Sequence, residues 1–143
     1  MGETERRVID LADVAGMLFD QENDTLAELN AALATSDVAV IASPTYKASY
    51  TGMLKAFLDR YETNGLAGVV AIPVMSGAGP VHTLAPDFTL RPLLVELGAV
   101  VPTTSLFFPT SQMDELEPLV DAWAERNRRA LAALAGLRRL DAR

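Results

Sequence analysis

The chain has 143 residues, half of them hydrophobic and spread along its length, enough to bury a core and too apolar for disorder. A formal charge of −7 and a pI near 4.6 argue against a nucleic-acid-binding surface, whose phosphate contacts demand a positive face. The absence of cysteine excludes a disulfide framework and thiol chemistry and fits a reducing compartment. The opening MGETERRVIDLADV has neither the basic n-region nor the apolar h-region of a signal peptide. No apolar run approaches the roughly 20 residues of a membrane span, so the expectation is a soluble cytoplasmic protein.

In chain order, RRVIDL (6–11) is a short apolar run that predicts a strand, and the mixed, acidic residues 12–23 read as a connection. Asp24 is placed as the N-cap of a helix in which Leu26, Leu29 and Leu33 keep helical spacing. DVAVIAS (37–43) is nearly continuous in apolar and β-branched residues, as expected of a strand covered on both faces. A helix carrying Met53, Leu54, Phe57, Leu58 and Tyr61 on one side follows, ending near Asn64-Gly65. LAGVVAIPVM (66–75) is a second buried strand in which Pro73 implies a bulge or a strand end. SGAG (76–79) is a turn, and a helical pattern from about Leu84 to Leu97 stops at Gly98. AVVPTTSLFF (99–108) is the next strand, and Met113 to Leu140 is a long terminal helix with Leu116, Leu119, Val120 and Trp123 apolar. Arg126, Arg128, Arg129, Arg138, Arg139 and Arg143 crowd this last segment as a solvated, dipole-compatible cationic face. No repeat, linker or low-complexity tract interrupts the pattern, so residues 1–143 read as one domain.

Strands alternating with helices imply a parallel sheet of right-handed βαβ units, whose ligands sit beyond the carboxyl ends of the strands. Two loops stand at that rim, SPTYKASY after the second strand and SGAGPVH after the third. Pro44 turns the chain sharply out of the sheet, and Thr45, Ser49 and Thr51 place hydroxyls beside backbone N–H groups outside the helix. Tyr46 offers an apolar wall with a polar tip, Gly52 allows close approach, and Gly77 and Gly79 free the second loop to aim N–H groups outward. These features suit a planar heterocycle with carbonyls along one edge, although Gly- and Ser-rich loops are also plain turns. The single histidine, His82, reads as a helix-start residue, and the i,i+4 pairs Lys55/Asp59 and Asp87/Arg91 read as structural helix pairs. No Ser-His-Asp set, paired carboxylates or metal-ligand spacing accompanies them, so no acid, base or nucleophile is named as catalytic.

SPTYKASYTGMLKAFLDR (43–60) resembles the flavin-ring loop and following helix of the NADPH-dependent FMN reductases, a flavodoxin-like family. The nearest likeness within it is to the reductases that supply reduced flavin to alkanesulfonate monooxygenases. SGAGPVHTLAPDFTLRPLLVELGA (76–99) is similar to that group's Gly-Gly loop, histidine, aspartate and helix, and the likeness runs from about Asp37 to Phe108. The resemblance implies an α/β, flavodoxin-like three-layer sandwich with a parallel sheet. Pro44, Thr45, Tyr46 and Ser49 would border the isoalloxazine and ribityl chain, and Ser76, Gly77 and Gly79 would face the pyrimidine edge. It implies FMN, NADPH (or NADH), hydride transfer from nicotinamide to flavin, a homodimer or homotetramer, and a flavin-dependent monooxygenase as partner. Tyr50 matches a tyrosine that makes a π-bulge at a subunit contact in some members.

The family's opening strand, its GSxRxxS phosphate loop and its first helix have no counterpart here, and RRVIDLADV resembles the family's second strand instead. On that reading two strand edges lie unpaired and the phosphate grip is missing, as in a chain truncated at its N-terminus. Two other readings share the scaffold. One is a non-catalytic flavodoxin-like subunit that has lost productive FMN binding; the other is a flavin-dependent quinone or azo reductase.

Overall fold

The computed structural model describes residues 5–141, with side chains through residue 134. Three parallel strands form the sheet in the order β1-β2-β3: β1 (Val38–Pro44), β2 (Val70–Gly77) and β3 (Leu106–Pro109). Register is set by Val40 opposite Ile72, Ala42 opposite Val74 and Val74 opposite Leu106. Helices α1 (Asp24–Ala34), α2 (Gly52–Leu58), α3 (Arg91–Glu96) and α4 (Leu116–Asp141) complete the two outer layers.

Strand alternation sorts the core into two parts. The odd-numbered residues Ala39, Ile41, Ala71 and Met75 point to one face, where they pack with Val14, Leu26, Leu54, Phe57, Leu58, Leu90 and Leu94. The first three helices thus share a face. On the other, Leu106 and Phe108 pack with Trp123 of α4, bordered by Ile72, Val74, Leu116 and Leu119. α4 is fastened there by Asn127, whose Oδ1 accepts the Thr104 N–H at 2.8 Å, and by Trp123, whose Nε1–H donates to the Thr104 carbonyl at 2.8 Å.

That second layer stops short of β1. Its residues alternate exposed and buried, with Val38 47% and Val40 62% exposed, so the strand expected to be covered on both faces is covered on one. β1 also forms the sheet's edge. The strand expected at 6–11 does not form: residues 5–10 pair with no strand, and a 3₁₀ helix occupies Leu11–Met17. The free edge of β1 stays unpaired by these residues, so apolar composition alone does not bring them into the sheet.

Other boundaries moved for identifiable reasons. Asn23, rather than Asp24, caps α1 by accepting the Leu26 N–H at 3.1 Å. β2 runs through Pro73 without a break. Ala71 N–H reaches the Val100 carbonyl on the β3 side while Val70 N–H reaches Asp37 on the β1 side. The nitrogen of Pro73 therefore faces β3, where residues 101–105 have left the sheet before β3 begins at Leu106, and no ladder bond is lost. This excursion shortens the expected strand 99–108 to a bridge at Val100 and the four residues of β3.

The helix expected from Leu84 to Leu97 contains a π-helical turn over Pro86–Leu90 ahead of α3. It stops as expected at Gly98, whose φ of +84° and close approach to Asn64 leave no room for a side chain. The π turn lies there and not at Tyr50, which precedes the Thr51 cap of α2 and packs half-buried against the main core. The long terminal helix is preceded by a 3₁₀ turn, Thr110–Glu115. Arg126, Arg128 and Arg129 are exposed on α4, while the side chains of Arg138, Arg139 and Arg143 lie outside the described residues.

Candidate functional site at the carboxyl rim

The loop that leaves β1 is a closed hairpin-like turn. Tyr46 N–H donates to the Ser49 carbonyl at 2.9 Å and Ser49 N–H returns to the Tyr46 carbonyl at 3.1 Å. The two residues between, Lys47 and Ala48, both have positive φ, +51° and +64°. This is the geometry of a type I′ turn, normally built from Asn and Gly, so the loop stores strain at its tip. Ser43 ties its two ends together. Its buried Oγ accepts the Thr51 N–H at 2.9 Å and donates to the Pro44 carbonyl at 2.9 Å. Thr51 in turn accepts the Leu54 N–H and starts α2.

The carboxyl end of β2, Ser76 and Gly77, lies alongside where a turn was expected. It is joined to the first loop by the Thr45 N–H donating to the Ser76 carbonyl at 2.7 Å, and the second loop continues from it. Among the described residues, the N–H groups of Ala78 and Gly79 meet no protein acceptor, and a Cβ placed on Gly79 would meet nothing within 4 Å. Thr45 Oγ1 is buried without a partner. A cavity of about 190 Å³ opens on the sheet face just below, lined by Ala42, Ser43, Pro44, Val74, Ser76 and Phe108. Small-molecule sites usually enclose roughly 300–1,000 Å³, so this cavity by itself is smaller than a typical ligand site.

The structure thus gathers Pro44, Thr45, Tyr46, Ser49, Ser76, Gly77 and Gly79 onto one rim. Tyr46 is 66% exposed, its ring packed by nothing of the core. Gly77 has a packing reason to lack a side chain: a Cβ there would stand 3.0 Å from Cζ of Phe107 and 3.7 Å from Cβ of Thr45. His82 ends a short 3₁₀ turn, Pro80–His82, beyond the second loop. No cluster of three His, Cys, Asp or Glu residues able to hold a metal ion occurs among the described residues.

Three features escaped the sequence reading. Ser43 looked like the last residue of a strand, and only the cross-loop bond shows its role. The left-handed Lys47-Ala48 pair carries no glycine signal. Arg91 does more than pair with Asp87: its guanidinium also donates to the Val101 carbonyl at 3.0 Å and the Thr103 carbonyl at 2.6 Å, while Ser105 Oγ donates to Asp87 at 2.7 Å. Burial pushes the Asp87 carboxyl up, but the Ser105 hydroxyl and the Arg91 guanidinium together outweigh it and hold the group below the usual range. This clamp fixes the 101–105 excursion that leads into Phe107 and Phe108.

A parallel sheet flanked by helices, with an open rim at its carboxyl end, defines a flavodoxin-like α/β protein. The model of the NADPH-dependent FMN reductases matches residues 2–112, and the chain belongs to that family. It is 34% identical over 99 residues to an FMN reductase (NADPH) of Pseudomonas putida, a match covering 66% of this chain and 50% of that one. With the Escherichia coli FMN reductase (NADPH) it shares 37% over 81 residues, 57% of this chain and 42% of the relative. The chain therefore spans about half the length of these curated relatives. The solved apo form of an NADH:FMN oxidoreductase (EMOB) superposes with a TM-score of 0.74 at 36% identity, covering 88% of this chain and 68% of that one. An oxidoreductase of Corynebacterium diphtheriae gives 0.73 at 35%, covering 90% and 72%.

Proposed function

We propose that the chain acts as an NAD(P)H-dependent FMN reductase, with residues 1–143 as one flavin reductase domain. The observation that carries this is the rim itself: two joined loops that leave the Ala78 and Gly79 N–H groups and the Thr45 hydroxyl without protein partners, beside an open cavity. A flavin's pyrimidine edge offers the carbonyls such donors need. Pro44, Thr45, Tyr46 and Ser49 would hold the ring and the start of its side chain, and Ser76, Gly77 and Gly79 would meet the pyrimidine edge. Bound there, the flavin supplies the hydride-accepting chemistry. The protein's part is to orient the ring, shield it on the sheet side, and offer N–H donors where charge accumulates on reduction.

Relatives named as NADPH-dependent and as NADH-dependent both match this chain, so either nucleotide is a candidate donor. A flavin-dependent monooxygenase is the proposed receiver of the reduced flavin, on the strength of the resemblance at 43–60 and 76–99. The exposed Val81, Leu84, Phe88 and Val95 on and around the π turn favour a homo-oligomer formed through that helix. No described helix is long and apolar enough to cross a membrane.

The test is nicotinamide oxidation by folded chain with and without added FMN. Flavin-dependent consumption of NADPH or NADH is expected. Folded chain that gives none contradicts the reductase reading and favours the non-catalytic subunit, and turnover faster on a quinone than on free FMN favours the third.

A further inference from the structure

One closed set of contacts holds the second rim loop at both of its ends. At its start, β2 pairs with β3 through Met75 opposite Phe107 and Gly77 opposite Pro109. The Phe107 ring lies so near Gly77 that a Cβ there would stand 3.0 Å from Cζ and 3.3 Å from Cε2. At its other end, the loop runs through the turn Pro80–His82 into the π turn Pro86–Leu90. That turn closes with the Arg91 N–H donating to the Pro86 carbonyl, five residues back. Thr89 within it donates to the Ala85 carbonyl at 2.7 Å and brings its Oγ1 to 4.0 Å from Sδ of Met75 in β2.

Asp87 and Arg91 join the two ends. Arg91 Nε–H donates to Asp87 Oδ1 at 2.8 Å, and Ser105 Oγ donates to the same oxygen at 2.7 Å. The rest of the guanidinium is spent on the Val101 and Thr103 carbonyls. Ser105 lies two residues before Phe107, so the clamp sets where that ring stands relative to the π turn. The path is a closed ring: from Gly77 through Ala78 and Gly79 to Asp87, across to Ser105, and back through Phe107 to Gly77. Closed, it holds the loop's N–H groups in one direction; cut at Ser105, it has slack.

Resting on the flavin reading above, we infer that Asp87, Arg91 and Ser105 are positioning residues for the flavin site. Acting through Phe107, they fix where the Ala78 and Gly79 N–H groups point, while their own polar atoms are spent on one another and on backbone carbonyls. Such donors matter most where charge gathers on reduction, so slack in the loop weakens reduced flavin more than oxidised flavin.

The test uses Ser105→Ala and Asp87→Ala, which cut the ring and leave Arg91 bonded to the Val101 and Thr103 carbonyls. In ligand-free chain, the Ala78 and Gly79 amide resonances are expected to shift. In a fluorescence titration FMN should bind about threefold to tenfold more weakly, the scale of one displaced hydrogen bond, and reduced FMN should lose more than oxidised. Ser105→Thr keeps the hydroxyl and should stay within about twofold of the parent. Phe107→Leu should weaken FMN likewise, and Ser105→Ala added to it should cost nothing more, because the two act in series. Leu29→Ala loosens the same core from α1 and separates positioning from stability: folded, it should bind FMN as the parent does. Unmoved amides at 78 and 79 in the two clamp variants overturn this inference alone. So do additive losses in the double variant, or a loss in Leu29→Ala that matches theirs. A parent chain that is folded and binds no FMN overturns the reductase reading instead, and the ligand-free amide shifts still decide whether the clamp aims the loop.

Discussion

Ser43→Ala is the most informative single change at the rim, because one buried hydroxyl holds the loop at both ends. The substitution removes the acceptor of the Thr51 N–H and the donor to the Pro44 carbonyl, each at 2.9 Å, in a residue 5% exposed. It leaves almost no cavity, so the effect comes from the unpaired backbone groups, which destabilise by roughly 1–3 kcal/mol when buried. Thr51 is half-buried and recovers part of its bond to water, which places the expected loss near 2 kcal/mol. For a domain of this size that lowers Tm by roughly 6–8 °C. Urea unfolding should show a lower midpoint with an unchanged slope. Ser49→Ala is the control: its hydroxyl makes no bond among the described residues, and its stability should stay within about 0.5 kcal/mol of the parent. A Ser43→Ala midpoint indistinguishable from that control would refute the idea that Ser43 fastens the loop.

Arg91→Ala strips the donors from the Val101 and Thr103 carbonyls and should destabilise by about 3 kcal/mol in urea, with Arg91→Lys recovering less than half. Since the Asp87 carboxyl is held below its ordinary value of 3.8, its stabilising contribution is present above that value and lost as pH falls through the lower folded one. Acid unfolding followed by circular dichroism should therefore steepen below about pH 4, and Asp87→Asn should flatten that limb. Leu58→Ala and Leu94→Ala, both fully buried, should each lose roughly 2–5 kcal/mol. Thr45→Val and Thr103→Val remove buried hydroxyls that have no partner, and both should match or slightly exceed the parent's stability in denaturant. Only Thr45→Val should also weaken flavin binding, by severalfold in a fluorescence titration.

The layout was legible wherever periodicity and punctuation agree. The leucines of α1, the apolar run of β1 and the Gly98 stop fell where the pattern placed them. β2, by contrast, starts at Val70 rather than Leu66 and runs on through Ser76 and Gly77, which were expected in a turn. The two rim loops were legible for the same reason, since the order of elements alone puts them at the carboxyl edge. What the sequence hid was long-range. The apolar run at 6–11 has the composition of a strand, but strand formation depends on a neighbour that composition does not reveal. Pro73 signalled an interruption, yet its nitrogen happens to face the gap opened by residues 101–105, thirty positions later in the chain. The π turn was expected at Tyr50 and occurs at Pro86–Leu90, a register detail that helical spacing does not resolve. The Lys47-Ala48 turn defies the usual glycine signal because bonds on either side hold it closed.

Backbone amide mapping by NMR tests the central claim most directly: FMN added to the labelled chain either perturbs the rim or it does not. The expected shifts concentrate at residues 45–51 and 76–79, with Leu26, Leu33 and the α4 residues unmoved. Shifts gathered instead around the concavity between α2 and α3, at Thr63, Leu93 and Glu96, would place the ligand elsewhere and contradict the account.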